Sequence, residues 1–281
     1  MICAWQGLLS ILPVWMRNDV NKYGNECLTD LRLRRNARPQ LHLKSGLAYL
    51  ERTVNASDLQ FCVNAASRYS PWTAATAASG YITAPGGHRI GLCGDFSGST
   101  GSLTSTNGLT SLCIRIARDF PGIATNLPSD MGSVLIIGRP GSGKTTLLRD
   151  LIRHCACERK SVAVVDEREE IFPNYNGTFY FETGNNVDVL SSCKKSKGID
   201  LVLRTMGPGI VAIDEITAAE DCIALLQAGW CGVDVLATAH AGNKPDLMKR
   251  PLYKPILESK IFDTLLILNE NRTWTMERLN I

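Results

Sequence analysis

The chain has 281 residues, 44 % hydrophobic and 20 % charged, which is ordinary globular usage. That excludes disordered and fibrous classes and leaves room for two domains. A formal net charge of only +3 excludes a chain coated in basic charge for nucleic-acid binding.

The opening Met1-Ile2-Cys3-Ala4 lacks the positive start of a secretory signal. The apolar run at 8–16 is broken by Pro13, well short of the roughly 20 residues of a membrane span. A soluble intracellular protein with no transmembrane segment of its own is expected. The ten cysteines are scattered without a C-x-x-C pair, which predicts reduced thiols acting as small buried hydrophobes. On a helix, His154 and Cys157 would share a face while Cys155 points elsewhere, so no metal site is expected there.

In chain order, 28–33 runs into a basic stretch, Arg32-Leu33-Arg34-Arg35 and then Arg38, read as a solvated strand or helix edge. Ser70-Pro71 is a helix start, and the small residues 72–79 end at Gly80, a natural stop. Segments 81–83 and 88–93 flank Ala84-Pro85-Gly86-Gly87, which reads as a β-hairpin with a four-residue loop. Residues 95–108 are a Ser/Thr/Gly-rich loop. Leu112, Ile114 and Ile116 then alternate with Cys113, Arg115 and Ala117 at the period of a half-buried strand. Residues 1–128 are thus a small mixed α/β domain, with the Pro- and Gly-containing stretch 119–132 as linker into a second domain, 129–281.

That second domain alternates apolar strands with helical segments, the pattern of a parallel sheet covered on both faces. Strands are expected at 134–137, 162–165, 210–213, 234–239 and 264–268, and helices up to about 157 and over 218–228.

Gly138-Arg139-Pro140-Gly141-Ser142-Gly143-Lys144-Thr145 matches the phosphate-binding loop G-x-x-x-x-G-K-[ST] between a strand and a helix. Its glycines let successive N–H groups converge on phosphate oxygens, and the helix start adds its positive end. Lys144 would neutralise the β and γ phosphates and Thr145 would offer its hydroxyl to Mg²⁺. Asp214-Glu215 follows a strand: Asp214 is placed on Mg²⁺, and Glu215 on the attacking water. Asp166-Glu167 and His240 likewise end strands. In an open parallel sheet, ligands bind beyond the carboxyl ends. If these strands are parallel neighbours, all of these positions converge on one edge, with His240 as a γ-phosphate sensor.

Asn243-Lys244-Pro245-Asp246 has the N-K-x-D spacing of guanine readers, but Asp214-Glu215-Ile216-Thr217 lacks the D-x-x-G glycine of GTPases. It is read as a polar loop. Arg115 and Arg118, ahead of the linker, are read either as an exposed strand edge or as guanidinium groups presented to ATP across a domain or subunit boundary.

The strings Gly80-Tyr81-Ile82-Thr83, Gly86-Gly87-His88-Arg89-Ile90-Gly91 and Ile114-Arg115-Ile116-Ala117-Arg118 resemble the N-terminal domain of the stage III sporulation protein AA family. The loop continuing through Thr145-Thr146-Leu147-Leu148-Arg149-Asp150, with Val165-Asp166-Glu167-Arg168-Glu169-Glu170-Ile171, Ile213-Asp214-Glu215-Ile216 and Thr238-Ala239-His240, resembles its ATPase core. The resemblance covers about 31–268. It implies a RecA-like P-loop NTPase core related to type II and type IV secretion ATPases, binding ATP and Mg²⁺ through residues 138–146. Within it, Asp166/Glu167 correspond to an acidic box, with Asp166 joining Thr145 and Asp214 as metal ligand. Asp214/Glu215 correspond to the Walker B pair, His240 to a histidine box, and Arg115 and Arg118 to phosphate-contacting arginines.

The resemblance further implies a hexamer in the mother-cell cytoplasm, held at the membrane by stage III sporulation channel proteins and acting without nucleic acid. Two other readings stand beside it: a nucleic-acid-stimulated ATPase and a nucleotide-binding scaffold without turnover. The chain departs from the secretion group at Walker B, where relatives carry Gly-Glu and a following arginine, and it has no zinc-binding C-x-x-C pairs.

Overall fold

A computed structural model describes residues 1–68, 80–95, 108–128, 130–157, 160–175 and 177–279. The helix expected over 72–79 and most of the 95–108 loop lie outside the described residues. The chain divides into two compact units, Met1–Asp119 with Pro173–Tyr180, and Phe120–Phe172 with Phe181–Ile281.

In the first unit the apolar run at 8–16 forms α1 (Trp5–Ser10) and the start of α2 (Val14–Asn21), split where Pro13 takes the N-cap. Leu8, Ile11, Leu12 and Met16 are fully buried. After α3 (Gly24–Cys27) come β1 (Leu28–Arg34), β2 (Gln40–Leu43) and β3 (Gly46–Tyr49). In β1, Leu31 and Leu33 face the core while Arg32 and Arg34 are exposed, so the basic stretch is one polar face of a half-buried strand. Helix α4 (Ala56–Ala66) opens with a reciprocal capping box between Asn55 and Asp58. Strands β4 (Tyr81–Ala84), β5 (His88–Gly94) and β6 (Leu109–Arg115) complete an antiparallel sheet ordered β3-β2-β1-β6-β5-β4. Ala84 pairs with His88, so the hairpin loop is shortened to Pro85-Gly86-Gly87, both glycines at positive φ. The loop drawn from the sequence was one residue too long because Ala84 joins the ladder.

The second unit begins with β7 (Val134–Gly138) and α5 (Lys144–Cys157), followed by β8 (Val162–Asp166). The short hairpin β9 (Asn174–Tyr175) and β10 (Thr178–Phe179) is grouped with the first unit. Then come β11 (Val187–Ser191), α6 (Lys195–Thr205), β12 (Ile210–Ile213), α7 (Ala219–Trp230) and β13 (Asp234–His240). Helices α8 (Lys244–Lys249) and α9 (Lys254–Glu258) precede β14 (Thr264–Leu268) and β15 (Trp274–Arg278). The sheet runs β11-β8-β12-β13-β7-β14-β15, parallel throughout except for β15. Every residue of β7, β8, β12 and β14 is buried, the signature of strands covered on both faces.

The Pro- and Gly-containing segment expected as linker is tied at 120–128 to α5. Asp150, 4 % exposed, accepts N–H bonds from Gly122 (3.1 Å) and Ala124 (2.7 Å) and pairs with Arg153 at 2.9 Å. Asp150→Ala removes the acceptor of two amide donors and the carboxylate beside a nearly buried guanidinium, which keeps its bond to Glu182 O at 3.2 Å. It should cost roughly 2–4 kcal/mol, read as a lowered urea midpoint at unchanged slope. A shift below about 0.5 kcal/mol would mean the segment is not anchored there. Among the described residues no helix is long and apolar enough to cross a membrane.

Candidate nucleotide site

The site is assembled by sheet order. β13 lies between β7, which delivers the glycine loop, and β12, which delivers Asp214-Glu215. Gly138 and His240 are register partners, Ile213 pairs with both Ala237 and Val165, and Asp214 follows at the end of β12. Parallel pairing therefore brings four chain segments, distant in sequence, to the carboxyl end of one sheet.

The loop from Gly138 to Lys144 has the backbone of an anion cradle. Gly141 (φ 77°) and Gly143 (φ 103°) occupy the left-handed side of the map, open to glycine and strained for other residues. A Cβ on Gly138 would lie 2.5 Å from Ser142 Oγ. Among the described residues that buried hydroxyl has no hydrogen-bond partner, an orphaned donor inside the loop. Pro140 and Arg139 are exposed at the loop's rim, where Arg139 pairs with Glu270. Thr146 is half-buried in the first turn of α5. An open cavity of about 320 Å³ adjoins the loop, lined by Gly138, Arg139, Pro140, His240 and Asn243 among others.

Two sets of hydrogen bonds, meeting where His240 lies beside Glu215, draw the predicted residues together. Lys144 Nζ donates to Gly138 O (3.0 Å), Arg139 O (3.1 Å) and His240 Nδ1 (2.9 Å). An ammonium has no acceptor, so His240 Nδ1 accepts; its Nε2 lies 3.0 Å from Glu215 Oε1, close enough for an ion pair when the ring is protonated. Thr145 Oγ1 donates to Asp214 Oδ2 (2.6 Å), and Thr238 Oγ1 donates to Asp214 Oδ1 (2.6 Å). The same Thr238 hydroxyl accepts from Glu215 N (2.8 Å), and its carbonyl accepts from Ile216 N (2.9 Å). Glu215 sits at φ 51°, a strained conformation for a residue with a Cβ, and Thr238 grips it on both sides. Burial pulls the Lys144 ammonium below its usual range, opposed by the charges of Asp214 and Glu215.

Asp166, offered by the sequence as a metal ligand, spends both oxygens elsewhere. Oδ1 accepts from Glu170 N (2.9 Å), and Oδ2 from Ile171 N (2.9 Å) and Phe172 N (2.8 Å). In this conformation it folds the acidic turn, whose far side is held by Arg149 donating to the carbonyls of Glu170 and Ile171. Burial pushes the Asp166 carboxyl up to about 7, against the lowering pull of the Phe172 and Ile171 N–H groups. A carboxyl raised on folding contributes stability that is full below its unfolded value near 3.8 and is lost as pH rises through about 7. The stability advantage of the natural chain over Asp166→Asn should therefore shrink from pH 4 to pH 8 in urea titrations; a constant difference would refute it.

Glu167 is turned toward Lys195, with Nζ 3.1 Å from Oε2. Arg115 is exposed at the end of β6, in register with Asp30 and Arg89. Arg118 donates to the carbonyls of Asn25 (2.7 Å) and Leu28, a tie between α3 and β1 within the first unit. The N-K-x-D string is a helix cap: Asn243 Oδ1 accepts from Asp246 N, and Asp246 Oδ2 accepts from Gly242 N, each at 2.9 Å. Of the ten cysteines, Cys62, Cys155 and Cys222 are buried, whereas Cys27, Cys93, Cys157 and Cys231 are exposed. The expectation of small buried hydrophobes fits only part of the set.

Two residues escaped the sequence reading. Thr238 was visible only as the neighbour of His240; its signal is a lone hydroxyl within an apolar strand. Lys195 had none, standing in the polar run Cys193-Lys194-Lys195-Ser196-Lys197.

The family described as "Sporulation stage III, protein AA" matches residues 30–276. Stage III sporulation protein AA of Bacillus subtilis is 35 % identical over 276 residues, covering 93 % of this chain and 90 % of that protein. An uncharacterised ycf45 protein of Porphyra purpurea is 25 % identical, covering 92 % of this chain and 44 % of its own length. Among solved structures, the ATPase DotB of Legionella pneumophila aligns with a TM-score of 0.61 at 19 % identity, over 95 % of this chain and 80 % of that one. The pilus retraction motor PilT with bound ADP aligns with a TM-score of 0.60 at 14 % identity, over 91 % and 78 %. The fold is that of the RecA-like secretion ATPases, and the chain belongs to the stage III sporulation protein AA family.

Proposed function

We propose that the chain is a Mg²⁺-dependent ATP hydrolase of the secretion-motor type, working as a ring of six on a membrane-embedded sporulation channel from the mother-cell cytoplasm. One observation carries this reading: Lys144 bonded to His240, with Glu215 3.0 Å from the imidazole, beside the hydrogen-bonded run Thr145–Asp214–Thr238 at the carboxyl ends of parallel strands.

The residues fit a triphosphate. The buried, unpartnered Ser142 hydroxyl and the positive-φ glycines suit an anion in the loop, and residues 138–146 are assigned to hold it. Thr145 and Asp214 are the pair assigned to Mg²⁺, and the ion when bound neutralises charge developing on the phosphates. Lys144, whose donors now rest on two carbonyls and His240, exchanges them for phosphate oxygens. Glu215, next to His240, orients the attacking water, and His240 reports γ-phosphate through the same pair of contacts. Arg115 is assigned to phosphate from outside the core, as in the family resemblance; Arg118, bound to carbonyls in the first unit, reaches phosphate only by giving those contacts up.

Phosphate release measured against protein concentration, with mass determined on the same samples, tests both parts. The reading expects turnover per chain to rise as the oligomer forms. ATP-dependent oligomers without phosphate release would make the chain a scaffold, and stimulation by single-stranded nucleic acid would make it a nucleic-acid motor.

A further inference from the structure

Lys195 is the first residue of α6 and only 5 % exposed, an unusual position for a lysine. Its place is set by close packing: a Cβ on Gly198, one turn later, would lie 2.4 Å from Val165 Cγ1, so α6 starts hard against the end of β8. From there Nζ reaches Glu167 Oε2 (3.1 Å), Thr217 Oγ1 (3.4 Å) and Asp221 Oδ2 (3.9 Å). Those partners lie on three separate segments: the acidic turn after β8, the turn after Asp214-Glu215, and the first turn of α7.

Lys195 also lines a narrow cavity with Asp166, Glu167, Glu170, Asp214 and Glu215. The other cation there, Arg168, is exposed. Lys195 thus supplies the buried positive charge among five carboxyl groups. Asp221 does not need it for folding, because its Oδ2 already accepts from Thr217 N (3.0 Å) and Ala218 N (3.1 Å). Glu167 does: among the described contacts, its carboxylate takes its hydrogen bond from Lys195.

We infer that Lys195 is a positioning residue of the nucleotide centre, which pins Glu167 and the turn following Glu215 to each other so that the two acidic segments move as one body. The inference rests on the ATP-hydrolase reading above. It assigns Lys195 no contact with nucleotide, so its loss should lower turnover and leave nucleotide affinity in place.

The test measures steady-state phosphate release from Mg²⁺-ATP and binding of a fluorescent ATP analogue. It compares the full chain with Lys195→Met, Lys195→Arg, Glu167→Gln and the Lys195→Met/Glu167→Gln double variant. Lys195→Met should lower kcat about 10- to 100-fold, the usual range for partners that orient a site's ligands. KM and the analogue's Kd should stay within about threefold, the split expected when ground-state binding is untouched. Lys195→Arg should restore most of the turnover, since a guanidinium can hold the same carboxylate. The double variant should be no slower than the slower single variant, because both remove one interaction.

Wild-type kcat in Lys195→Met would overturn the inference, as would parallel loss of analogue binding or an Arg variant no better than Met. If the unaltered chain released phosphate no faster than Lys144→Ala, the hydrolase reading itself would fall, and this inference with it. An active chain with an indifferent Lys195→Met would remove only the inference.

Discussion

Lys144→Ala should reduce phosphate release from Mg²⁺-ATP by about 10²–10³-fold or more, the range seen when one preorganised donor is removed from a charge-developing centre. The size follows from where the ammonium sits. It is 6 % exposed and directed into the loop, with all three of its donors used by Gly138 O, Arg139 O and His240 Nδ1. Substitution by alanine leaves the glycine cradle intact but takes away the buried ammonium held at its floor. The far-ultraviolet spectrum and urea midpoint should hold in this variant, because α5 is anchored by the buried side chains of Leu147, Leu148 and Leu151. Turnover retained in a folded Lys144→Ala chain would place the chemistry elsewhere.

Glu215→Gln should bind ATP as well as the natural chain and hydrolyse it roughly 10²–10⁴-fold more slowly, the contribution typical of a positioned general base. The amide keeps the size of the side chain and its place beside His240 Nε2, 3.0 Å away in the natural chain. It cannot take a proton from water. The backbone clamp by Thr238 is indifferent to the change, so the strained turn at φ 51° persists. Loss of ATP binding in this variant, rather than of hydrolysis, would assign Glu215 to the binding surface and remove it from the reaction.

The second unit was legible because its central strands are uninterrupted apolar runs. Ile210-Val211-Ala212-Ile213 and Val162-Ala163-Val164-Val165 have no polar side to expose, so they read as buried strands, and each runs into an aspartate, Asp214 and Asp166 respectively. The edge strands were not legible: β11 and β15 carry polar residues such as Asp188 and Glu277, which suit an edge and read as loop. In the first unit, β2 and β3 are four residues each, too short for a period to show.

The site followed the same division. Residue types with strong chemical signatures at strand ends are legible from spacing as candidates. Asp166 is one of them, but a carboxylate after a strand looks identical whether it meets a cation or folds its own turn; in this structure it accepts from the N–H groups of Glu170, Ile171 and Phe172. Lys194, Lys195 and Lys197 are equivalent as letters. Burial alone singles out Lys195.

The most direct measurement is a structure of the full-length Glu215→Gln chain with Mg²⁺ and ATP. The account predicts triphosphate oxygens on the N–H groups between Gly138 and Thr146, with Lys144 Nζ moved from His240 to phosphate and the ion held by Thr145 and Asp214. Nucleotide bound away from that loop, or Lys144 still resting on His240 with ATP present, would contradict it.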